Sequence, residues 1–335
     1  MLRMELLKKL NYDQTQSLNA EMTNRKSIPS PKHLITTQNM SLIDLDNYFF
    51  RADKMQALVK EKGGDDRLKH KVLALAFYEP STRTSCSFQA AMLRLGGSTI
   101  FINDTFSSVK KGETLEDTIK TLGIYADAIV LRHPIKGSSK KAAEVSEKPI
   151  INAGDGEGEH PTQALLDVYT IYKEMRGNMQ GITISFVGDL KYSRTVHSLV
   201  KLVALFSDIK IIFVNPPGLE IPSDIIDFLH IKGVQPEYTT MNNAIEVTDV
   251  LYMTRIQRER ITEDIVVDTT LYRLDQDLMK RAKQKMIVMH PLPRNDEISV
   301  EIDDDPRAAY FRQMEYGLYI RMVLLESILT KTATS

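Results

Sequence analysis

Residues 71–97, KVLALAFYEPSTRTSCSFQAAMLRLGG, decide the fold. The first seven form a short apolar run of the length a buried strand needs. From Thr82 onward, Phe88, Met92 and Leu95 recur at helical spacing, and Gly96-Gly97 closes the segment. Between strand and helix lies the polar turn Tyr78-Glu79-Pro80-Ser81-Thr82-Arg83-Thr84. A strand that feeds a helix in this way is the building unit of a parallel sheet covered on both faces.

The same unit recurs outward from there. Strands are predicted at 99–102, 127–131 and 149–152, and helices at 113–122 and 161–175. After Gly177 and Gly181 the pattern restarts, with strands at 183–187, 210–214, 250–253 and 286–289 and a helix at 193–206. Near the end, Met314, Leu318, Met322, Leu325 and Leu329 define a long amphipathic helix whose apolar stripe reads as core. The expected fold is α/β, with two domains, each a mostly parallel sheet with helices on both faces, and a C-terminal helix that returns to the first domain. The expected boundaries are 1–32 for a polar arm or linker, 33–177, 178–310, and 311–330 for the last helix.

Length agrees, since 335 residues at roughly 150 per domain make about two. The formal net charge of -1 carries no global basic field, so neither nucleic acid nor an anionic membrane is an expected partner. The single cysteine, Cys86, excludes a disulfide framework and a cysteine zinc cage within one chain. Its expected place is a small packing position on the helix after Arg83. The apolar run at 72–78 is far shorter than the roughly 18 residues of a membrane span. The first 27 residues lack an apolar signal core, and the expected location is cytoplasmic.

In parallel sheets ligands bind beyond the carboxyl ends of the strands. The residues at those ends are therefore the candidate site. They include Ser81, Thr82, Arg83 and Thr84; Arg132; the glycine-rich loop at 154–158 with His160 and Gln163; Asp189 and Arg194; Arg255 and Gln257; and His290 with Pro291 and Leu292. Competing readings are N-capping by Ser81 or Thr82 and a capping or packing role for His160. The loop lacks the Gly-Lys-Ser/Thr of a phosphate loop, and Gly188 stands alone where a dinucleotide site has three glycines. Four arginines at strand ends would repel one another unless anions lie among them. Guanidinium forks suit phosphate and carboxylate, so the implied ligand is small and carries several negative charges. No metal motif is present in the sequence, and no metal or cofactor is expected.

The motifs FYEPSTRT at 77–84, SSVKKGET at 107–114, HPTQALLD at 160–167, GDLKYSRTVHSL at 188–199, LYMTRIQRER at 251–260 and HPLPRNDEIS at 290–299 resemble the aspartate carbamoyltransferase family. DPRAAYFRQMEYGLYIRM at 305–322 is most similar to the eukaryotic-type domain of multifunctional pyrimidine enzymes. The resemblance covers about residues 33–329. It implies transfer of the carbamoyl group of carbamoyl phosphate to L-aspartate, the committed step of pyrimidine synthesis. It makes 33–177 the carbamoyl-phosphate half and 178–310 the aspartate half. By position, Ser81, Thr82, Arg83 and Thr84 would bind phosphate. Thr84, Arg132 and His160 would polarise the carbamoyl oxygen, and Gln163 would hold the carbamoyl amide. Arg194 and Arg255 would clamp aspartate beside Gln257, and the Pro291-Leu292 backbone would accept from a substrate nitrogen. Glu79 would pair with Arg194 and Arg260 when the domains close. Ser107 and Lys111 would complete a neighbouring subunit's site, which implies a homotrimer. Departures are Ser85-Cys86, Gln89 and Arg258, none at an assigned position. The alternatives are an ornithine carbamoyltransferase-like enzyme and a non-catalytic trimeric scaffold.

Overall fold

The computed structural model describes residues 32–103, 112–260 and 267–330. Ser107, Lys111 and the arm up to residue 31 lie outside the described residues. The first sheet holds β1 (Val72–Phe77), β2 (Ser98–Asn103), β3 (Ala128–His133) and β4 (Ile150–Asp155) in the order β2-β1-β3-β4. The second holds β5 (Thr183–Val187), β6 (Lys210–Val214), β7 (Glu237–Tyr238), β8 (Val250–Met253) and β9 (Ile287–Met289) in the order β7-β6-β5-β8-β9. Every strand pair in both sheets is parallel. The chain has the two-sheet α/β fold.

Strand alternation splits each sheet between two packing faces. Leu73, Leu75 and Phe77 of β1 join the main core, while Ala74 and Ala76 face the opposite layer. The main core also takes in Ile184, Phe186 and Ile211 of the second sheet. One apolar core therefore runs through both sheets. It is bridged by α5 (Pro161–Glu174), α6 (Arg194–Val203) and the C-terminal α10 (Tyr310–Leu329). Glycine is required where the chain leaves β5 beside the end of β8, because a Cβ on Gly188 would stand 2.3 Å from the Thr254 carbonyl oxygen.

Three expectations change. A helix, α1 (Leu42–Lys62), fills a region read without one. Its start is a capping box, Ser41 with Asp44, and Gly63 ends it in the left-handed region. α10 returns to the first domain as expected, packing against α1, α2 (Thr82–Arg94) and α5, but its burial goes beyond an apolar stripe, since every residue from Tyr319 to Leu325 is buried. Cys86 is exposed, not a packing residue. Thr84, Ser85, Phe88, Ala91 and Met92 define the inward face of α2, and Cys86 points away from it.

The remaining helices are α3 (Leu115–Tyr125), α4 (Ser138–Val145), α7 (Ser223–Ile231), α8 (Met241–Val247) and α9 (Gln276–Arg281). Among the described residues no helix is long and apolar enough to cross a membrane.

Candidate active site

The strand orders fix where the site can lie. In the first sheet the chain departs from β1 toward β2 on one side and β3 on the other. In the second, β5 is flanked by β6 and β8. Those two switch points leave crevices at their carboxyl ends. Into them fall the turns 78–81 and 134–137 of the first half and 188–193 and 254–257 of the second.

Ser81 is the N-cap of α2, yet its side chain makes no capping hydrogen bond, so its hydroxyl is not engaged in the helix start. Thr82, Arg83 and Thr84 form the first helical turn. Amides at a helix start and the helix dipole favour an anion there. Arg83 is half-buried, and that burial lowers its pKa.

Arg132 sits where the pairing of β3 with β4 shifts register between Leu131 and His133. Such irregularities re-aim a side chain. Burial, then the neighbouring Arg194, pushes its pKa down to about 9, and the guanidinium is charged at neutral pH. Its Nε lies 3.4 Å from Glu79 Oε2, and the hydrogen bond it donates to the Ala153 carbonyl is long at 3.4 Å.

Glu79 also pairs with Arg194 Nη2 at 2.9 Å and Arg260 Nη2 at 3.5 Å. One carboxylate thus stands among three guanidinium groups drawn from both sheets. Arg194 donates as well to the Gly156 carbonyl at 2.7 Å. The glycine-rich loop makes this approach possible, since a Cβ on Gly154 would come within 2.9 Å of Arg194 Cζ. Its glycines admit an arginine at close range.

His160 occupies the N-cap of α5, but its side chain makes no cap bond. Its amide donates to Ser198 Oγ at 3.0 Å. Burial first, then Arg132, Arg194 and Arg321, lowers its pKa well below 6.5. It is therefore neutral at pH 7 and can donate one hydrogen bond. Below pH 6.5 the unfolded chain binds a proton here that the folded chain refuses. The stabilisation is full above that pH and is lost as pH falls toward the folded value. Comparing denaturant melts of the parent and His160→Asn from pH 7.5 to 5 should show the variant's stability falling less steeply below pH 6.5, by up to about 1.4 kcal/mol per pH unit. Equal slopes would mean the folded protein protonates His160 normally.

In the second half, Asp189 is fully buried and accepts from the Tyr192 amide at 2.9 Å. Gln257 faces it at 3.4–3.5 Å through its backbone and side-chain nitrogens. Arg255 lines a separate cavity with Tyr272, Asn295 and Glu297. The structure thus gathers Arg132, Arg194 and Arg260 around Glu79, and Gln257 is tied to that cluster through its carbonyl, which accepts from the Arg260 amide at 2.8 Å. Leu292 has a φ of +52° and donates its amide to His290 Nδ1 at 2.8 Å. Because the peptide is planar and trans, the Pro291 carbonyl points away from that ring.

Sequence reading missed several groups. Arg321 of α10 is 2% exposed. Its Nη1 donates to Ser87 Oγ at 3.0 Å, and its guanidinium lies 5.2 Å from the Phe88 ring centre. A lone arginine inside the apolar run GLYIRMVLL was the available signal. Asp167 is wholly buried, and that burial lifts its pKa to about 7.

The family model described as "aspartate/ornithine carbamoyltransferase, carbamoyl-P binding domain" matches residues 32–173. Its "Asp/Orn binding domain" companion matches 180–328. The chain belongs to the aspartate/ornithine carbamoyltransferase family. It is 44% identical, over 89% of its length and 98% of the relative's, to the aspartate carbamoyltransferase catalytic subunit of Thermoplasma acidophilum. It is 53% identical, over 88% of its length, to multifunctional protein pyr1-3 of Dictyostelium discoideum, and spans 13% of that protein. A solved structure of aspartate transcarbamoylase from Trypanosoma cruzi, in complex with carbamoyl phosphate and aspartate, is 42% identical with a TM-score of 0.86. The alignment covers 91% of this chain and 97% of that one.

Proposed function

We propose that the chain catalyses attack of the L-aspartate amine on the carbonyl carbon of carbamoyl phosphate, giving N-carbamoyl-L-aspartate and phosphate in pyrimidine synthesis. The observation that carries this reading is the charge arrangement. Half-buried Arg132 and buried Arg194, with Arg260, share one carboxylate, Glu79, beside a neutral histidine. The cationic excess suits a phosphate dianion together with two carboxylates.

In this reading Ser81, Thr82, Arg83 and Thr84 seat the phosphate. Thr84, Arg132 and neutral His160 donate toward the carbonyl oxygen as it gains charge, in the manner of an oxyanion hole. Gln163 faces the carbamoyl nitrogen, and the Pro291 and Leu292 carbonyls accept from a substrate nitrogen. Arg194 and Arg255 hold the aspartate carboxylates near Gln257, and Glu79 with Arg260 links the two halves. The amine lone pair forms the new C–N bond, the C–O bond to phosphate breaks, and the departing phosphate takes the amine proton. Positioning and charge stabilisation carry the rate, with no covalent intermediate.

We divide the labour at 33–177 and 178–310, with 311–330 closing back on the first part. The family-model limits, 32–173 and 180–328, support the boundary near 177, and the contacts of α10 with α1, α2 and α5 support its return to the first part. A homotrimer with shared sites is part of the proposal. Edge strand β2 exposes Ile100 and Phe101, and it leads directly to Ser107 and Lys111, the residues assigned to a neighbour's site. A cytoplasmic location fits the exposed free thiol of Cys86.

Turnover with carbamoyl phosphate and either aspartate or ornithine tests the reaction. Carbamoyl aspartate is the expected product, and citrulline, or no product, would refute the reading. Mixing Lys111→Ala chains with Arg83→Ala chains and allowing subunit exchange should restore part of the activity. No recovery would mean that each site is built within one chain.

A further inference from the structure

Asp167 lies one turn beyond Gln163 on α5 and is wholly buried. Its Oδ1 accepts from Gln163 Nε2 at 2.9 Å and from Gln313 Nε2 of α10 at 2.6 Å. Its Oδ2 accepts from the Tyr252 hydroxyl of β8 at 2.7 Å. Gln313, 1% exposed, accepts the His290 amide on its Oε1 at 3.0 Å. A backbone N–H on one side and a carboxylate on the other leave that amide a single orientation. The His290 ring then takes the Leu292 amide at Nδ1 and meets Glu297 Oε1 at Nε2, both at 2.8 Å. The bonds run unbroken from Gln163 to the turn that carries Pro291 and Leu292.

Oδ1 of Asp167 accepts from the Gln313 NH₂, and a carboxylic acid keeps that acceptor even with a proton on Oδ2 beside the Tyr252 hydroxyl, so the NH₂ of Gln163 faces Asp167. The oxygen Oε1 of Gln163 is then the atom left for a ligand. We propose that Asp167 is a positioning residue that makes the site select an –NH₂ on the acyl group of its phosphorylated substrate. By holding the Gln163 nitrogen, it presents an acceptor to the carbamoyl nitrogen and only to a group with an N–H. An acetyl group would set a methyl against a buried oxygen and leave it unpaired, a loss of about 10-fold to 100-fold in affinity. This inference rests on the carbamoyl-transfer reading.

The test uses the full chain, with acetyl phosphate as the methyl analogue. The readout is the ratio of its inhibition constant to the KM for carbamoyl phosphate, and the inhibition constant of inorganic phosphate controls for the phosphate seat. Asp167→Asn keeps an oxygen for both glutamine amides and turns its nitrogen to the Tyr252 hydroxyl, which can accept. Its ratio should stay within about threefold of the parent, because no acceptor on Oδ1 is lost. Asp167→Leu frees the Gln163 amide to turn, and the ratio should fall about tenfold or more, with phosphate inhibition unchanged. If the leucine variant does not fold, Asp167→Ser, whose hydroxyl is too short to reach that amide, should show the same fall.

A folded leucine or serine variant with the parent ratio would overturn the inference. So would Asp167→Asn losing as much discrimination, since charge opposite Arg321 would then matter and not orientation. A purely structural role would lower stability and leave the ratio alone. A parent that makes no carbamoyl aspartate would overturn the functional reading itself, whereas an active parent with an unaltered variant ratio removes only this inference.

Discussion

Replacing Arg132 with leucine is expected to lower kcat by about 10²–10³, the usual cost of removing one donor to a developing oxyanion. The melting temperature should stay level or rise. Opposite signs for rate and stability follow from the surroundings of this side chain. Arg132 is largely buried beside Arg194, with Arg260 and Arg83 adding to the repulsion. Against that it gains a long 3.4 Å bond to Ala153 and a 3.4 Å approach to Glu79. A buried charge so poorly compensated costs folding energy, and an apolar replacement relieves the cost. Such a group is retained for what it does to a bound anion. Steady-state rates and thermal melts on one preparation decide the matter. A loss below about tenfold would be too small for an oxyanion donor. A large fall in melting temperature would make Arg132 a structural residue.

Glu79→Gln is expected to be the most destabilising change at the site. Glutamine keeps the shape and one acceptor oxygen but removes the negative charge among Arg132, Arg194 and Arg260. A fully buried pair broken on one side costs about 3–5 kcal/mol. Here about 2–3 kcal/mol is expected, because the Glu79 and Arg260 side chains keep 18% and 26% of their exposure. Inorganic phosphate should then stabilise the variant more than it stabilises the parent, since an added anion replaces part of the missing charge. Denaturant melts with and without phosphate measure both effects. Equal stabilisation of parent and variant would show that Glu79 does not balance the cluster. The variant's kcat/KM for aspartate should fall as well, since Arg194 loses the 2.9 Å contact that orients it.

Much of the frame was legible from residue pattern. The strands at 183–187, 210–214 and 250–253 have the bounds that their apolar runs predicted. Short buried strands announce themselves, because both faces are covered and the run is continuous. α1 was harder, since polar residues interrupt its apolar face and only Ser41, Asp44 and Gly63 mark its ends. α10 was read as a stripe because periodicity cannot reveal that three other helices surround it. The candidate residues Arg83, Arg132, His160, Arg194 and Arg255 were legible for a different reason. A parallel sheet puts its ligands at strand ends, and those ends can be read along the chain.

By itself the sequence determined which side chains reach the carboxyl edges of the two sheets, and that their excess of cations needs an anionic ligand. The tertiary structure alone decided how those charges are balanced and held. Glu79 meets Arg194 across 115 residues, Tyr252 reaches Asp167 across 85, and Gln313 reaches it across 146. No local pattern encodes such pairs. Each exists because one apolar core closes both sheets and α10 together, and because a buried polar group must find its partner wherever the fold brings one within 3 Å.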